Sequence, residues 1–225
     1  MKNILSVICF AISLSAFSQN VILNTVTKVS ENTDRFLYII NPEETTSEYL
    51  GELEVQGFSN DDEEVFGKIY KKAKEIGANT FSYQPFVEVD GTERAFDPSN
   101  YKLKLYYTEK ANLPSADNTI YIISGSKKSQ KISLNDENVE INPRTYIKKH
   151  LKENKIYTVS TRKFLGSGIK LSGKEGQPVQ YFQLSATKIR ANPYGTAGIN
   201  LKSGDIITLE RSYGEFLTTI YQQIK

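Results

Sequence analysis

Apolar residues between positions 65 and 76 recur at spacings of three and four, the pattern of a helix with one buried face. The apolar positions are Val65, Phe66, Ile69, Tyr70, Ala73 and Ile76. The acidic run Asp61–Glu64 precedes them and supplies a capping side chain and negative charge for the first turn. Gly77 follows, and glycine suits the left-handed backbone that ends many helices. The sequence therefore predicts a helix over 61–76.

Alternating apolar and polar residues predict strands on both sides of this helix. In the first half of the chain they cover 36–40, 49–55, 80–83 and 101–107. In the second half they cover 119–124, 130–134, 155–162, 179–185 and 205–210. Residues 144–151 fit a short helix or an irregular turn, and residues 216–224 fit a closing strand or helix. The predicted fold class is α+β, a β-α-β-β unit followed by a mostly antiparallel β-sandwich-like unit.

A small, polar, proline-containing stretch separates the two patterns and predicts a domain boundary. It runs from Ala111 through Pro114 to Asn118. We expect an α+β domain over 19–111, a linker over 112–118 and a β-sandwich-like domain over 119–225.

The N-terminus has the features of an export signal. Lys2 is followed by an apolar stretch from Ile4 to Phe17, and Ala16 and Ser18 place small residues at a cleavage site. A retained membrane anchor is the alternative, but the stretch is shorter than the roughly 20 residues that a span needs. Lipid attachment at Cys9 is a third reading, which the large residue before it disfavours. We expect a signal peptide over 1–18, a periplasmic or extracellular protein, and no membrane span after cleavage.

Composition narrows the chemistry of the remaining chain. Without residues 1–18 it has no Cys, Met or Trp and one histidine, His150. Thiol nucleophiles and Cys or multi-His metal sites are thereby excluded. The whole chain has 28 basic and 26 acidic residues, so loss of Lys2 leaves a net charge of +1. Nothing in this balance favours nucleic acid binding, and no cofactor or metal is predicted.

Two motifs invite a functional reading that their details disfavour. Residues 168–175 resemble a phosphate-binding loop, but Glu175 stands where Ser or Thr is required and Pro178 interrupts the helix that should follow. A β-hairpin with a glycine-rich turn is favoured instead. Asp61–Glu64 has the carboxylates of a calcium site without the alternating spacing, and helix capping accounts for the run.

Candidate site residues in the second half are few. His150 lies among lysines, which disfavour a metal dication, and no Gly-x-Ser-x-Gly elbow supports a serine hydrolase. Carboxylate pairs contributed by distant strands stay open. The turn 192–198 carries Asn192 and Tyr194, the two residues that we assign as candidate ligand-binding positions.

The segment Leu50–Val55, followed by the Ala-x-x-x-Gly-Ala-Asn motif from Ala73 to Asn79, resembles small β-α-β domains of bacterial envelope proteins. That group includes a heavy-metal-binding family and the outer-membrane stress-sensor lipoprotein of the Rcs pathway. The resemblance covers about residues 50–110 and implies an envelope protein. The stress sensor depends on cysteines, which this segment lacks, so its mechanism is not implied. The second half resembles exported β-sandwich domains of unknown function.

Taken together, the sequence favours an exported, non-enzymatic binding or structural module of the bacterial cell envelope. Its expected partner is an envelope protein or a surface ligand, not a nucleic acid. The alternative is an exported hydrolase with a carboxylate-based or Ser/His site in the loops of the second domain.

Export makes a direct prediction about mass. The protein recovered after secretion should lack residues 1–18 and begin at Gln19, because the cleavage site follows Ser18. Intact-mass spectrometry of the exported protein tests this, and a mature form that retains Met1 would contradict it.

Overall fold

A computed structural model describes residues 20–59, 61–115, 117–161, 166–184, 201–203 and 205–224. Within these residues the protein is mostly β, with two helices and three sheets that are mixed or antiparallel. Asn192 and Tyr194 lie outside the described residues, as does the predicted signal peptide.

The first sheet has five strands and belongs to the N-terminal half. The strands are β1 (Asn20–Val26), β2 (Tyr38–Ile39), β3 (Glu48–Gln56), β4 (Thr80–Gln84) and β5 (Tyr101–Tyr107). Their order is β1-β3-β5-β4-β2, with β2 parallel to β4 and the other pairs antiparallel. The edge strand β2 is only two residues long, so most of its support must come from elsewhere.

The predicted helix is present as α1 (Asp62–Glu75), between β3 and β4 in the chain. The Asp61 carboxylate accepts a hydrogen bond from the Glu64 amide and caps the first turn. The apolar stripe from Val65 to Ala73 is buried. Gly77 follows the helix with φ +74°, as its left-handed role requires.

Two further sheets form the second half. The four-stranded antiparallel sheet has the order β11-β10-β7-β8, and the six-stranded mixed sheet has the order β13-β14-β12-β6-β9-β15. The strands are β6 (Thr119–Ile123), β7 (Gln130–Leu134), β8 (Glu137–Ile141), β9 (Thr145–His150), β10 (Ile156–Thr161), β11 (Gly168–Ser172), β12 (Gln180–Leu184), β13 (Leu201–Ser203), β14 (Ile206–Leu209) and β15 (Gln222–Gln223). The strand pairs β6–β12 and β9–β15 are parallel, and the other strand pairs of these two sheets are antiparallel, in agreement with the predicted mostly antiparallel pattern.

The prediction for residues 144–151 is wrong, because this segment forms strand β9. Its sequence lacks a clean alternation, and the three residues from Lys148 to His150 are all exposed. Pairing with β6 along its full length supplies the hydrogen bonds that hold it extended. Tertiary context thus decides its conformation where the local pattern is ambiguous.

The C-terminal segment is a helix, α2 (Arg211–Ile220), followed by the short strand β15. The helix begins five residues before the predicted segment. Glu210 caps it, since its carboxylate accepts hydrogen bonds from the amides of Ser212 and Tyr213. Seven of the ten residues of α2 are buried, including the polar residues Ser212 and Glu215.

One apolar cluster joins the four-stranded and six-stranded sheets. It contains Ile122 and Leu184 from the larger sheet and Ile132, Tyr157 and Val159 from the smaller one, all buried. Side chains from both sheets thus share one core, as in a β-sandwich.

A second cluster crosses the predicted domain boundary. Phe66 of α1 lies against Tyr213 and Phe216 of α2, with ring centroids 5.3 and 5.2 Å apart. Tyr181 of β12 packs on Gly214 of α2, and it belongs to the same cluster as Leu103 of β5. The two halves therefore share buried apolar surface, whatever the boundaries of the predicted domains.

A buried ion pair also joins the halves. Arg144 Nη2 donates to Asp62 Oδ1 at 2.8 Å, and the Tyr221 hydroxyl donates to Asp62 Oδ2 at 2.7 Å. Burial raises the pKa of Asp62, while the positive charge of Arg144 opposes that rise. Arg144 Nη2 also donates to the Ser59 carbonyl, at 2.5 Å. Two residues of the second half thus satisfy the carboxylate of Asp62, a residue of the first half that is only 6% exposed.

The turn at Gly77 carries a tight packing constraint. Its backbone has positive φ, and a β-carbon there would overlap the carbonyl oxygen of Ser30. Gly91 also has positive φ, +86°, but has open space around it. A side chain at Gly91 would therefore meet backbone strain alone, whereas one at Gly77 would meet both strain and steric overlap.

We predict that Gly77→Ala lowers the free energy of unfolding by about 3–5 kcal/mol, since strain and overlap combine. Gly91→Ala should lower the free energy of unfolding by only about 1–2 kcal/mol, because alanine is strained in the left-handed conformation but meets no steric overlap there. Urea denaturation of both variants measures the difference. Equal costs would show that the contact with Ser30 does not constrain the turn.

Candidate functional site

An open cavity of about 350 Å³ lies at one end of the five-stranded sheet. The segment before and within β2 forms one wall, and the end of β5 with the residues after it forms the other. Its lining combines aromatic rings, hydroxyls and amides: Asn32, Thr33, Asp34, Phe36, Tyr38, Asn79, Tyr107, Thr108 and Lys110. The volume is at the small end of the range for small-molecule sites.

The floor of the pocket is fixed by Asn79, which follows the turn at the end of α1. Its side-chain amide donates to the Thr108 carbonyl, and the Thr108 amide donates back to Asn79 Oδ1, both at 2.8 Å. The hydroxyls of Thr80 and Thr108 are also 2.8 Å apart. All three residues are buried, so the floor is held by polar contacts that water cannot reach.

The wall around β2 is held from two sides. On one side, the amides of Tyr38 and Ile40 donate to the carbonyls of Asn79 and Phe81. On the other side, side-chain oxygens of α2 accept the backbone hydrogen bonds that a neighbouring strand would otherwise accept. The Leu37 amide donates to Ser212 Oγ at 3.0 Å, and the Ile39 amide donates to a Glu215 carboxylate oxygen at 2.6 Å.

The carbonyl groups of this wall are held by α1. The Tyr70 hydroxyl donates to the Arg35 carbonyl at 2.7 Å. Lys74 Nζ donates to the carbonyls of Asp34, Phe36 and Ala78 at 2.8, 2.5 and 3.0 Å. One ammonium group therefore ties the pocket wall to the turn that ends the helix.

Burial lowers the pKa of Lys74 to about 8, and the negative charges of Asp34 and Glu210 oppose this shift. The group that ties the wall together therefore titrates closer to neutral pH than an exposed lysine does.

Arg211 and Glu215 form a second ion pair, behind Tyr38, in which Glu215 is buried and Arg211 is half-buried. Arg211 Nε donates to Glu215 Oε1 at 2.6 Å, and the guanidinium lies 4.7 Å from the centre of the Tyr38 ring. Burial raises the pKa of Glu215, and Arg211 opposes the rise. Burial, reinforced by the charge of Asp34, raises the pKa of Tyr38 to about 12, so its phenol keeps its proton at neutral pH.

The residues singled out from the sequence lie elsewhere. The assignment of Asn192 and Tyr194 falls outside the described residues and stays a prediction. His150 is exposed at the end of β9, opposite Thr119. Gly168 begins β11, which pairs antiparallel with β10, so this segment is a strand and not a phosphate-binding loop.

The acidic run Asp61–Glu64 at the start of α1 has two roles. Asp61 caps the helix as expected, but Asp62 is a buried partner of Arg144 and Tyr221. Capping alone therefore does not account for the run. Within the residues that the structure describes, no group of three or more His, Cys, Asp or Glu side chains could hold a metal ion.

The pocket residues escaped sequence reasoning because they are ordinary residues from separate segments. The sequence predicts Phe36 and Tyr38 as part of one strand and Tyr107 as the end of another. Nothing local in the sequence indicates that these segments face each other across a cavity.

No family model, curated protein sequence or solved structure matches the chain. Neither of the two helices in the described part of the chain is long and apolar enough to cross a membrane.

The lowered pKa of Lys74 predicts a rise in stability with pH. Between pH 8 and 10.5 the unfolded chain holds a proton on this lysine that the folded protein has released, so the free energy of unfolding rises. The Lys74 contribution should grow by about 1–3 kcal/mol across this window and stay constant below pH 7.

Urea denaturation of the wild type and Lys74→Met at several pH values isolates this contribution as a difference. Lys71→Met is the control, because Lys71 is an exposed lysine of the same helix and should give a flat difference. A Lys74 difference that stays flat or falls between pH 8 and 10.5 would show that the carbonyl groups, and not burial, control its titration.

Proposed function

We propose that this protein is an exported, non-enzymatic binding module of the bacterial cell envelope, and that it binds a small ligand in the pocket between the β2 wall and the end of β5. The observation that carries the proposal is the pocket itself, about 350 Å³ in volume and lined by both rings and polar groups. Its wall and floor are already held in place by hydrogen bonds, so little conformational entropy is lost when a ligand binds.

The lining supports binding better than hydrolysis. It contains one carboxylate, Asp34, and Asp34 Oδ1 already accepts a hydrogen bond from the Phe36 amide at 2.9 Å. Acid-base hydrolysis of a glycosidic bond needs two convergent carboxyl groups. His150, the histidine of the alternative Ser/His site, belongs to β9 and not to the pocket lining.

The export signal and the resemblance to envelope domains support the location, in the periplasm or outside the cell. The division into an α+β domain over 19–111 and a β-sandwich-like domain over 119–225 is part of the same proposal. The pocket belongs to the first of these units, and α2 from the second unit supports its wall.

Native mass spectrometry tests the proposal. The protein purified after export is incubated with small molecules extracted from the envelope, and bound mass is then measured. We expect a noncovalent adduct with the wild type and its loss in Tyr107→Ala, which removes one wall of the pocket.

Tyr49→Ala is the matched control, since Tyr49 is a half-buried tyrosine of the same sheet outside the pocket lining. It should keep the adduct. The absence of any adduct, or equal retention by Tyr107→Ala, would overturn the proposal.

A further inference from the structure

Many of the polar side chains in the pocket already have partners within the protein. The side-chain oxygen of Asn32, Oδ1, accepts a hydrogen bond from the backbone amide of Asp34 at 2.8 Å, and its Nδ2 donates one to the Gly77 carbonyl at 3.1 Å. Asn79 and Thr108 bind each other. These groups shape the cavity, so recognition of a ligand must fall to others in the lining.

The polar groups left for a ligand are mainly hydroxyls. Among the described residues, no hydrogen bond occupies the hydroxyls of Thr33, Tyr38 and Tyr107. The phenol of Tyr38 is neutral at physiological pH, as an ordinary tyrosine is, and burial raises its pKa further. Neutral hydroxyls both donate and accept hydrogen bonds, which suits a ligand with hydroxyl groups of its own.

The apolar part of the lining consists of aromatic rings. Phe36 and Tyr38 are tilted against each other with ring centroids 5.7 Å apart, and Tyr107 stands on the β5 side. An aromatic face with a polar tip offers a flat apolar surface next to a hydrogen-bonding group. A ring that carries C–H groups on its faces and hydroxyls at its rim matches this alternation.

The charges in the lining balance. Asp34 contributes one negative charge and Lys110 one positive charge. A ligand with a large net charge of either sign would therefore find no excess of opposite charge in the pocket. A neutral ligand fits this balance of charge, and a zwitterion, which also has no net charge, is the alternative class of ligand.

From this lining we infer that the pocket takes a neutral polyhydroxylated ligand, a saccharide unit, whose apolar ring face lies on an aromatic side chain and whose hydroxyls bind the phenols of Tyr38 and Tyr107. The inference rests on the proposed function and adds the class of ligand. Tyr107 contributes both a ring and a hydroxyl, so its substitutions separate the two contributions.

The test is a titration followed by amide chemical shifts in ¹H–¹⁵N spectra of the exported protein. The neutral probes are glucose, N-acetylglucosamine and maltose, and the zwitterionic probes are leucine and the dipeptide Ala-Ala. We expect at least one neutral sugar to shift the amides of Tyr38 and Thr108 in a saturable way, with smaller or no effects from the zwitterions.

Variants connect the binding to the pocket. Tyr107→Phe should weaken sugar binding about three- to tenfold, because one hydrogen bond is lost. Tyr107→Ala should weaken it more than about tenfold, because the ring is lost as well. Tyr49→Phe should leave the affinity unchanged, and the dispersion of the amide signals in each spectrum shows that the variant is folded.

The outcomes distinguish the two proposals. Saturable binding of leucine or Ala-Ala that depends on Tyr107, with none of the sugars bound, would overturn the ligand class and keep the binding pocket. Sugar binding that Tyr107→Ala leaves intact would overturn the assignment of the ligand to this pocket. No shift of the pocket amides with any probe would overturn the saccharide inference, while an adduct in native mass spectrometry would still support a binding function.

Discussion

The backbone of residues 34–40 runs along the edge of a sheet and beneath the C-terminal helix, where most of these residues are buried or half-buried. Buried amides and carbonyls need partners, and a two-residue strand paired on one side cannot supply them all. The protein meets this need with side chains. Ser212 and Glu215 accept from the amides on one side of the segment, and Lys74 donates to its carbonyls from another. The shape of the pocket wall follows from these bonds.

Buried polar side chains also join the two halves of the molecule. Glu215 and Asp62 are buried carboxylates, each paired with an arginine and each bonded to groups from the other half of the chain. A buried ion pair adds little net stability, because desolvation offsets the attraction between the charges. Removal of one partner is costly, however, because it leaves an unpaired charge in the interior. The contacts of Asp62 with Arg144 and of Glu215 with the Ile39 amide join the halves at fixed points, while the apolar cluster around Phe66 supplies the burial that stabilises the contact.

Sequence patterns predict an element well when its conformation depends on residues that are close to it in the chain. The capping residue Asp61, the apolar stripe and Gly77 indicate α1 to within one residue at each end, because helix termini depend on neighbouring residues. The local pattern does not predict strand β9, because pairing with the distant strand β6, from Thr119 with His150 to Ile123 with Tyr146, holds it extended. Short or exposed strands such as β1 and β8 carry too few buried positions to show alternation.

The candidate site could not be predicted from the sequence. The sequence assigns Asp62 to helix capping because its neighbours are acidic, whereas its partners Arg144 and Tyr221 are separated from it by 82 and 159 positions. The pocket itself is defined by empty space between segments, and no residue type marks such a space in advance. Sequence reasoning could supply the elements but not the distances between them.

The support of β2 by α2 has a consequence for the order of folding. The bonds from Leu37 and Ile39 to α2 close loops of 175 and 176 residues, among the longest that the chain can form. A chain that emerges with its N-terminus first can complete the helix α1 and much of the first sheet early. The β2 segment, however, cannot form its bonds to Ser212 and Glu215 until α2 has been synthesised. Long-range closures of this kind are slow. The pocket wall is thus among the last parts of the protein to form, and a chain that stops short of residue 211 would carry the residues of the pocket without the means to hold them in place.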